Sequence, residues 1–183
     1  MNKSKRVLRQ RYRLSTYLSF LRMGYNGILH LLARVVWGGR NLRPFLHRLR
    51  GAKISKGVFI GDDVYLDEDF PEAIEIHEGV VIGPRCTIIA HTRGAGKIII
   101  EKDAAIAAGC VIVCGPGQTL TIGEGSVLSA GSTVSHSIPR FTLCGAPRLK
   151  AYGRVSVPFT FDSTYEDFKR GLQPIRPGDR EPS

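Results

Sequence analysis

The first 53 residues contain no acidic side chain, the four cysteines include no Cys-x-x-Cys pair, and the whole 183-residue chain has one tryptophan and two methionines. Each shortage excludes something. Unpaired cysteine spacing argues against a disulfide-stapled secreted scaffold and against a structural zinc site, so a reducing, cytoplasmic setting is expected. Long apolar runs are also missing: the longest N-terminal stretch without Lys or Arg, Met23 to Ala33, is eleven residues, well short of the roughly 20 that cross a bilayer. A signal peptide is not expected, because the basic leader is long, charges cut the apolar segment, and no small-residue cleavage site follows. The net charge of +10 suggests nucleic acid. However, no helix-turn-helix pattern, zinc spacing or aromatic RNA-binding signature accompanies it, so no nucleic-acid partner is expected.

The charge is segregated. Residues 1–53 hold 13 Lys or Arg and no acid, whereas residues 54–183 hold 13 basic and 16 acidic residues. Within the basic arm, Leu14, Leu18, Leu21, Tyr25, Ile28, Leu32 and Val35 recur at a 4-3-4-3 spacing that lines one helical face. Gly24 and Gly27 are expected to break this stretch into two helices. Two uses of the face compete: peripheral contact with an anionic membrane through residues 1–50, or packing on the protein's own flank or a partner subunit. Packing is favoured, because Asp62, Asp63, Asp67, Glu68, Asp69, Glu72, Glu75 and Glu78 form an acidic cluster able to neutralise the arm internally.

From residue 54 to 138 an apolar residue returns every sixth position. Ile54, Ile60 and Leu66 are followed by Ile76, Ile82 and Ile88, then Ile100, Ile106 and Ile112, then Ile122, Leu128 and Val134. Four residues after each comes a mostly small or β-branched side chain, including Val58, Cys86, Ala104, Cys110 and Ser126. Gly61, Gly83 and Gly123 directly follow a register position, and Gly57, Gly79, Gly109, Gly125 and Gly131 fall in the intervening turns. Neither the 3.6-residue helical period nor plain alternation produces this pattern. A short strand and a turn per six residues do, with three units closing a triangular coil. The group starts step by 22, 24 and 22 residues, so the excess over 18 lies at the third corner of each coil. Four coils at about 4.8 Å spacing give a column only about 19 Å tall, which calls for caps and partners.

The stretch Ile122-Gly-Glu-Gly-Ser-Val-Leu-Ser-Ala-Gly-Ser-Thr-Val134, followed by Ile138-Pro139 and Gly145-Ala146-Pro147, resembles the closing coil and Gly-x-Pro exit of the hexapeptide-repeat acyltransferases. That family includes maltose, galactoside and xenobiotic O-acetyltransferases. The resemblance implies an all-β core forming a left-handed parallel β-helix of about four coils, with N-terminal amphipathic helices and a short C-terminal helix. The domains it implies are a basic helical arm over 1–53, the β-helix over 54–150, and a C-terminal extension over 151–183.

The resemblance also implies a reaction: transfer of an acetyl group from acetyl-CoA to a hydroxyl, without an acyl-enzyme and without a metal. His91 opens the longest insertion and matches the family's histidine. As the general base it would take the hydroxyl proton while the oxygen attacks the thioester. His77 and His136 read as structural or solvent-facing, and the cysteines as packing. Matching the family's pattern places Ala108, Ala130 and Ser135 along the pantetheine of coenzyme A, with Arg148 and Lys150 near its nucleotide. The segment Leu66-Asp-Glu-Asp-Phe-Pro-Glu-Ala-Ile74 resembles one found in sugar acetyltransferases. Its Asp67, Glu68 and Glu72 are candidates for binding a saccharide acceptor or orienting the base. A homotrimer with clefts shared between neighbours is the assembly the family implies. The alternatives are a non-catalytic β-helical scaffold subunit and a non-sugar acceptor.

Beyond Pro147, Ser163-x-x-Glu166 has the form of a capping box, with Tyr165, Phe168 and Leu172 at helical spacing. A short helix near 164–172 is therefore expected, followed by a loose polar tail from Pro174.

Overall fold

The computed structural model of the chain describes residues 21–91, 96–146, 153–158, 160 and 162–174. It forms two compact units, one ending at Ala146 and the other beginning at Pro147.

In the first unit, short strands wind through four full coils. The first coil is β1 (Lys53–Ile54), β2 (Phe59–Ile60) and β3 (Tyr65–Leu66); the second is β4 (Ile74–Ile76), β5 (Val81–Ile82) and β6 (Thr87–Ile89). The third is β7 (Lys97–Ile100), β8 (Ala105–Ile106) and β9 (Val111–Val113); the fourth is β10 (Thr119–Ile122), β11 (Val127–Leu128) and β12 (Thr133–Val134), and β13 (Leu143–Cys144) begins a partial fifth. Like strands stack into three parallel sheets, β1-β4-β7-β10, β2-β5-β8-β11-β13 and β3-β6-β9-β12. The result is a parallel β-helix.

The sixfold register is the pairing register. Ile54 pairs with Ile76 and Ile76 with Ile100, and the second and third sheets align Ile60 with Ile82 and Leu66 with Ile88 in the same way. All twelve register residues are buried in one column with Val58, Cys86, Ala104 and Cys110 at its corners. The two kinds of glycine do different work. At Gly83 an added Cβ would lie 2.7 Å from the backbone nitrogen of Ala108 in the next coil, so the corner admits no side chain. The turn position three residues before each register residue of the second and third sheets takes positive φ. Glycine fills it at five places, but Asp63, Arg85, Asp103 and Phe141 adopt the same left-handed conformation, with φ between 53° and 57°.

The first coil has no coil below it, which leaves strand carbonyls without a partner. Helix α1, helical over residues 21–35, and α2 (Leu42–Leu49) cover that end. Leu29, Ala33 and Leu46 pack together between the two helices. Three arginines then close the three strand edges. Arg48 donates to the carbonyls of Ile54 and Ser55, both at 2.7 Å, Arg43 to Ile60 at 3.1 Å, and Arg50 to Leu66 at 3.1 Å. Gly39 accepts the Ile60 N–H at 2.8 Å. Much of the arm's positive charge is therefore structural.

The expected internal neutralisation also occurs. Arg34 pairs with Asp63, Arg22 with Glu72 at 2.9 Å, and Arg43 with Asp62. Two expectations for the arm need correction. The helix runs unbroken through Gly24 and Gly27 and ends only before Gly38, whose φ is +101°. Gly27 is used for close approach, since a Cβ there would sit 3.2 Å from the Glu68 carboxylate, and tertiary contact overrides its weak helix propensity. The predicted apolar stripe also does not pack on the protein's own flank, one of the uses expected for it. Asn26, Leu29, His30 and Ala33 are buried, while Leu21, Tyr25, Ile28, Leu32 and Val35 are exposed. Packing of Leu29 and Ala33 on Leu46 of α2 and the ion pairs of Arg22 and Arg34 accompany this orientation. Leu14 and Leu18 lie outside the described residues. Among the described residues no helix is long and apolar enough to cross a membrane.

In the second unit, β14 (Gly153–Val155) pairs antiparallel with β15 (Leu172–Pro174), and α3 (Tyr165–Arg170) lies between them in sequence. The expected helix is present, but its cap is displaced by one residue. Thr164, in extended backbone, accepts the Asp167 N–H at 3.2 Å, while the Ser163 hydroxyl donates to the Pro158 carbonyl at 2.9 Å. The expected tail lies outside the described residues from 175 onward.

Candidate active site

Strands β3 and β6 are neighbours in the third sheet, so the residues that leave them meet at the same corner, one coil apart. Asp67 follows β3 and donates its N–H to the Ile88 carbonyl at 2.9 Å. Two residues beyond β6 comes His91, at the start of the longest insertion, of which residues 92–95 lie outside the described set.

Asp67 is 0% exposed, and all of its acceptor capacity is used by the chain itself. One oxygen accepts the N–H groups of Asp69 at 3.1 Å and Phe70 at 3.0 Å. The other accepts the N–H groups of Ala90 at 2.9 Å and His91 at 3.1 Å, and the His91 Nδ1–H at 2.6 Å. A carboxylate only accepts, so this contact puts the proton of a neutral imidazole on Nδ1 and leaves Nε2 as the basic nitrogen. Five donors also hold the two loops in register. On the other side of the backbone, Arg50 donates to the Asp67 carbonyl at 2.8 Å, so the arm braces the same corner.

The His91 side chain is 31% exposed, with Asp69 Oδ2 3.3 Å from Nε2. The Phe70 ring lies 5.2 Å away, centroid to centroid. The imidazole thus has an inner nitrogen fixed by buried Asp67 and an outer one that faces exposed Asp69 and solvent, an arrangement suited to removing a proton from a hydroxyl that displaces the Asp69 contact. Asp69 and Phe70 escaped single-residue assignment from the sequence. Their signal was the density of acids directly before a Phe-Pro pair.

The other sequence candidates are dispersed. Glu68 is half-buried against α1, and Glu72 is exposed and engaged by Arg22. Ala108 and Ala130 stack one coil apart at the turns leading from the second sheet to the third, joined by the Gly131 N–H donating to the Ala108 carbonyl at 3.0 Å. Ser135 is exposed just after β12, at the His91 corner but two coils higher. One chain therefore does not bring His91 and the two alanines to one corner. Arg148 and Lys150 lie outside the described residues. His77 donates its Nε2–H to Glu75 at 3.0 Å, and hydrogen bonds from Lys97 and then His77 hold the Glu75 carboxyl down at about 2. Cys86 and Cys110 are buried, and burial pushes the Cys86 thiol up. Among the described residues, no group of three His, Cys, Asp or Glu side chains is placed to hold a metal ion.

Fold and site together define a hexapeptide-repeat β-helix with a carboxylate-held histidine at the mouth of its longest insertion. The chain is 31% identical over 129 residues to YvoF of Bacillus subtilis (strain 168), which bears an acetyltransferase name; the match covers 66% of this chain and 70% of that one. It is also 32% identical over 122 residues to the serine acetyltransferase of the same organism, covering 58% of this chain and 48% of that relative, about half its length. No family model matches the chain, and no solved structure matches it. The chain belongs to the acetyltransferase family.

Proposed function

We propose that the protein is a CoA-dependent O-acetyltransferase that moves acetyl from acetyl-CoA to a hydroxyl of a saccharide or glycan precursor, with His91 as general base. The observation that carries this reading is the 2.6 Å contact from His91 Nδ1 to the fully buried Asp67. In the reaction, Nε2 takes the acceptor's hydroxyl proton as that oxygen attacks the thioester carbonyl. The C–S bond breaks, and the imidazolium returns its proton to the departing thiolate. Asp67 keeps the tautomer and stabilises the imidazolium between the two transfers. Asp67 thus takes the orienting role of the two anticipated for it, because its oxygens have no room for a sugar hydroxyl. Asp69, on the open side of the ring, is the carboxylate best placed to accept from an acceptor hydroxyl. Glu68 and Glu72 belong to the same loop.

A homotrimer completes this reading. The outward residues of the second sheet, Phe59, Val81, Ala105, Val127 and Leu143, align in one apolar ladder. The first sheet instead turns Lys53, Glu75, Ile99 and Thr121 outward, a row broken by charge. An apolar ladder on a thin column is a surface for self-association. Docking another chain there supplies the alanine corner that a single chain keeps apart from its own His91. Binding is tested by the melting temperature in the presence of acetyl-CoA, and assembly by sedimentation. Saturable stabilisation and a trimer are expected. Absence of any acetyl-CoA effect on an assembled trimer would favour the non-catalytic scaffold, and a monomer would remove the shared cleft.

A further inference from the structure

The outward side of the arm is unusually apolar for a free surface. Leu21, Tyr25, Ile28, Leu32 and Val35 of α1 are exposed, as are Leu42, Phe45 and Leu49 of α2, at helical spacing on that helix too. Between the helices Trp37 is 90% exposed. Scattered exposed apolar residues need no explanation, but two adjoining helices that both turn their apolar stripes outward do.

The charges around this face indicate what covers it. Arg22, Arg34 and Arg43 are paired with acids, and Arg48 and Arg50 with carbonyls. Arg40, Lys53 and Lys56 have no carboxylate partner among the described residues. Arg40, Arg48 and Lys56 border a groove of about 600 Å³ whose apolar members are Leu42 and Phe45. Directly before α1 the sequence adds Lys3, Lys5, Arg6, Arg9, Arg11 and Arg13, with no acid. A second copy of this chain is a poorer match, because three carboxylates of its acidic cluster, Asp62, Asp63 and Glu72, are already engaged by its own arm. The apolar ladder of the second sheet also offers a separate surface for self-association.

We propose that the outward face of α1 and α2 docks on a membrane leaflet rich in anionic lipid. The apolar stripes and Trp37 enter the region between headgroups and acyl chains, while Arg40 and Lys56 meet lipid phosphates. This rests on the arm alone and is independent of the proposed acetyl transfer.

Trp37 is the only tryptophan, so its fluorescence reports on this face. The intact protein is titrated with vesicles of phosphatidylcholine alone and of phosphatidylcholine mixed with phosphatidylglycerol. A blue shift with protection from iodide quenching is expected only with the anionic vesicles, and it should weaken as salt shortens the screening length. Arg40→Gln with Lys56→Gln should weaken binding roughly 25-fold, about fivefold per near-surface charge. Ile28→Asp with Val35→Asp should abolish the shift without lowering the melting temperature. No shift with anionic vesicles, or an equal shift with neutral ones, overturns the proposal. It is also overturned if Trp37 is already blue-shifted and iodide-protected before vesicles are added, since a second copy then covers the face.

Discussion

Replacing Asp67 by Asn removes one negative charge while keeping nearly the same shape, and the structure fixes what must follow. Five donors converge on the two carboxylate oxygens, two on one and three on the other. An amide offers one oxygen. If that oxygen faces Ala90 and His91, the N–H groups of Asp69 and Phe70 confront an NH₂ group; if it flips, the three other donors do. At least two buried or half-buried donors lose their partner, at roughly 1–3 kcal/mol each, and water reaching the Asp69 side puts the cost near the lower end, about 2–3 kcal/mol. The effect on turnover depends on the same choice. With the oxygen toward His91 the tautomer survives, and only the charge-assisted part of the hydrogen bond is lost, about tenfold in kcat. With the amide flipped, its N–H donates to Nδ1, the proton moves to Nε2 and the base is lost, about 10²–10⁴-fold. Thermal denaturation and acetyl-CoA-dependent thiol release, with an acceptor chosen from a panel of saccharides and serine, measure the two effects. A variant that is less stable yet turns over at the wild-type rate would make Asp67 purely structural and refute this reasoning.

Buried His30 and His47 make the arm acid-sensitive. Burial first, and then the Arg50 charge, keep His30 neutral down to about 4 and His47 down to about 3, whereas both titrate near 6.5 when unfolded. Stability from this source is complete above about pH 6.5 and falls as pH drops toward the folded values. Melts at pH 7.5 and 5 should differ by about 2 kcal/mol per histidine, and a flat profile over that range would contradict this. Gly83→Ala should destabilise by about 1–3 kcal/mol, because its Cβ would meet the Ala108 backbone 2.7 Å away; chemical denaturation checks this. A chain starting at Gly51 should melt at lower temperature and aggregate, since it exposes the first coil's strand edges; light scattering during the melt would show it.

The β-helix was legible because its period is set by backbone geometry. Side chains from Ile54 to Val134 repeat every six residues only if each coil turns three times, and the spacings of 22 and 24 residues gave the pairing of Ile54 with Ile76 and Ile76 with Ile100. His91 was legible through its place at the longest insertion, and Asp67 as one of several acids. Which acid held the histidine was not, because that depends on two loops meeting from neighbouring coils, 24 residues apart. The arm misled for a related reason. Amphipathic spacing identifies a stripe but does not say what lies against it, and in the single chain Leu29 and Ala33 pack inward on Leu46 instead. The arginine caps were equally hidden, since Arg43, Arg48 and Arg50 look in sequence like surface charge.

The central claim is that His91 removes the acceptor proton. The most direct measurement compares thiol release from acetyl-CoA by the wild-type protein and by His91→Ala, across the same acceptor panel and with melting curves and sedimentation recorded for both. The account predicts matching melts and assembly, with turnover in the variant reduced about 10²–10⁴-fold. Equal turnover by a folded, assembled His91→Ala protein would contradict it.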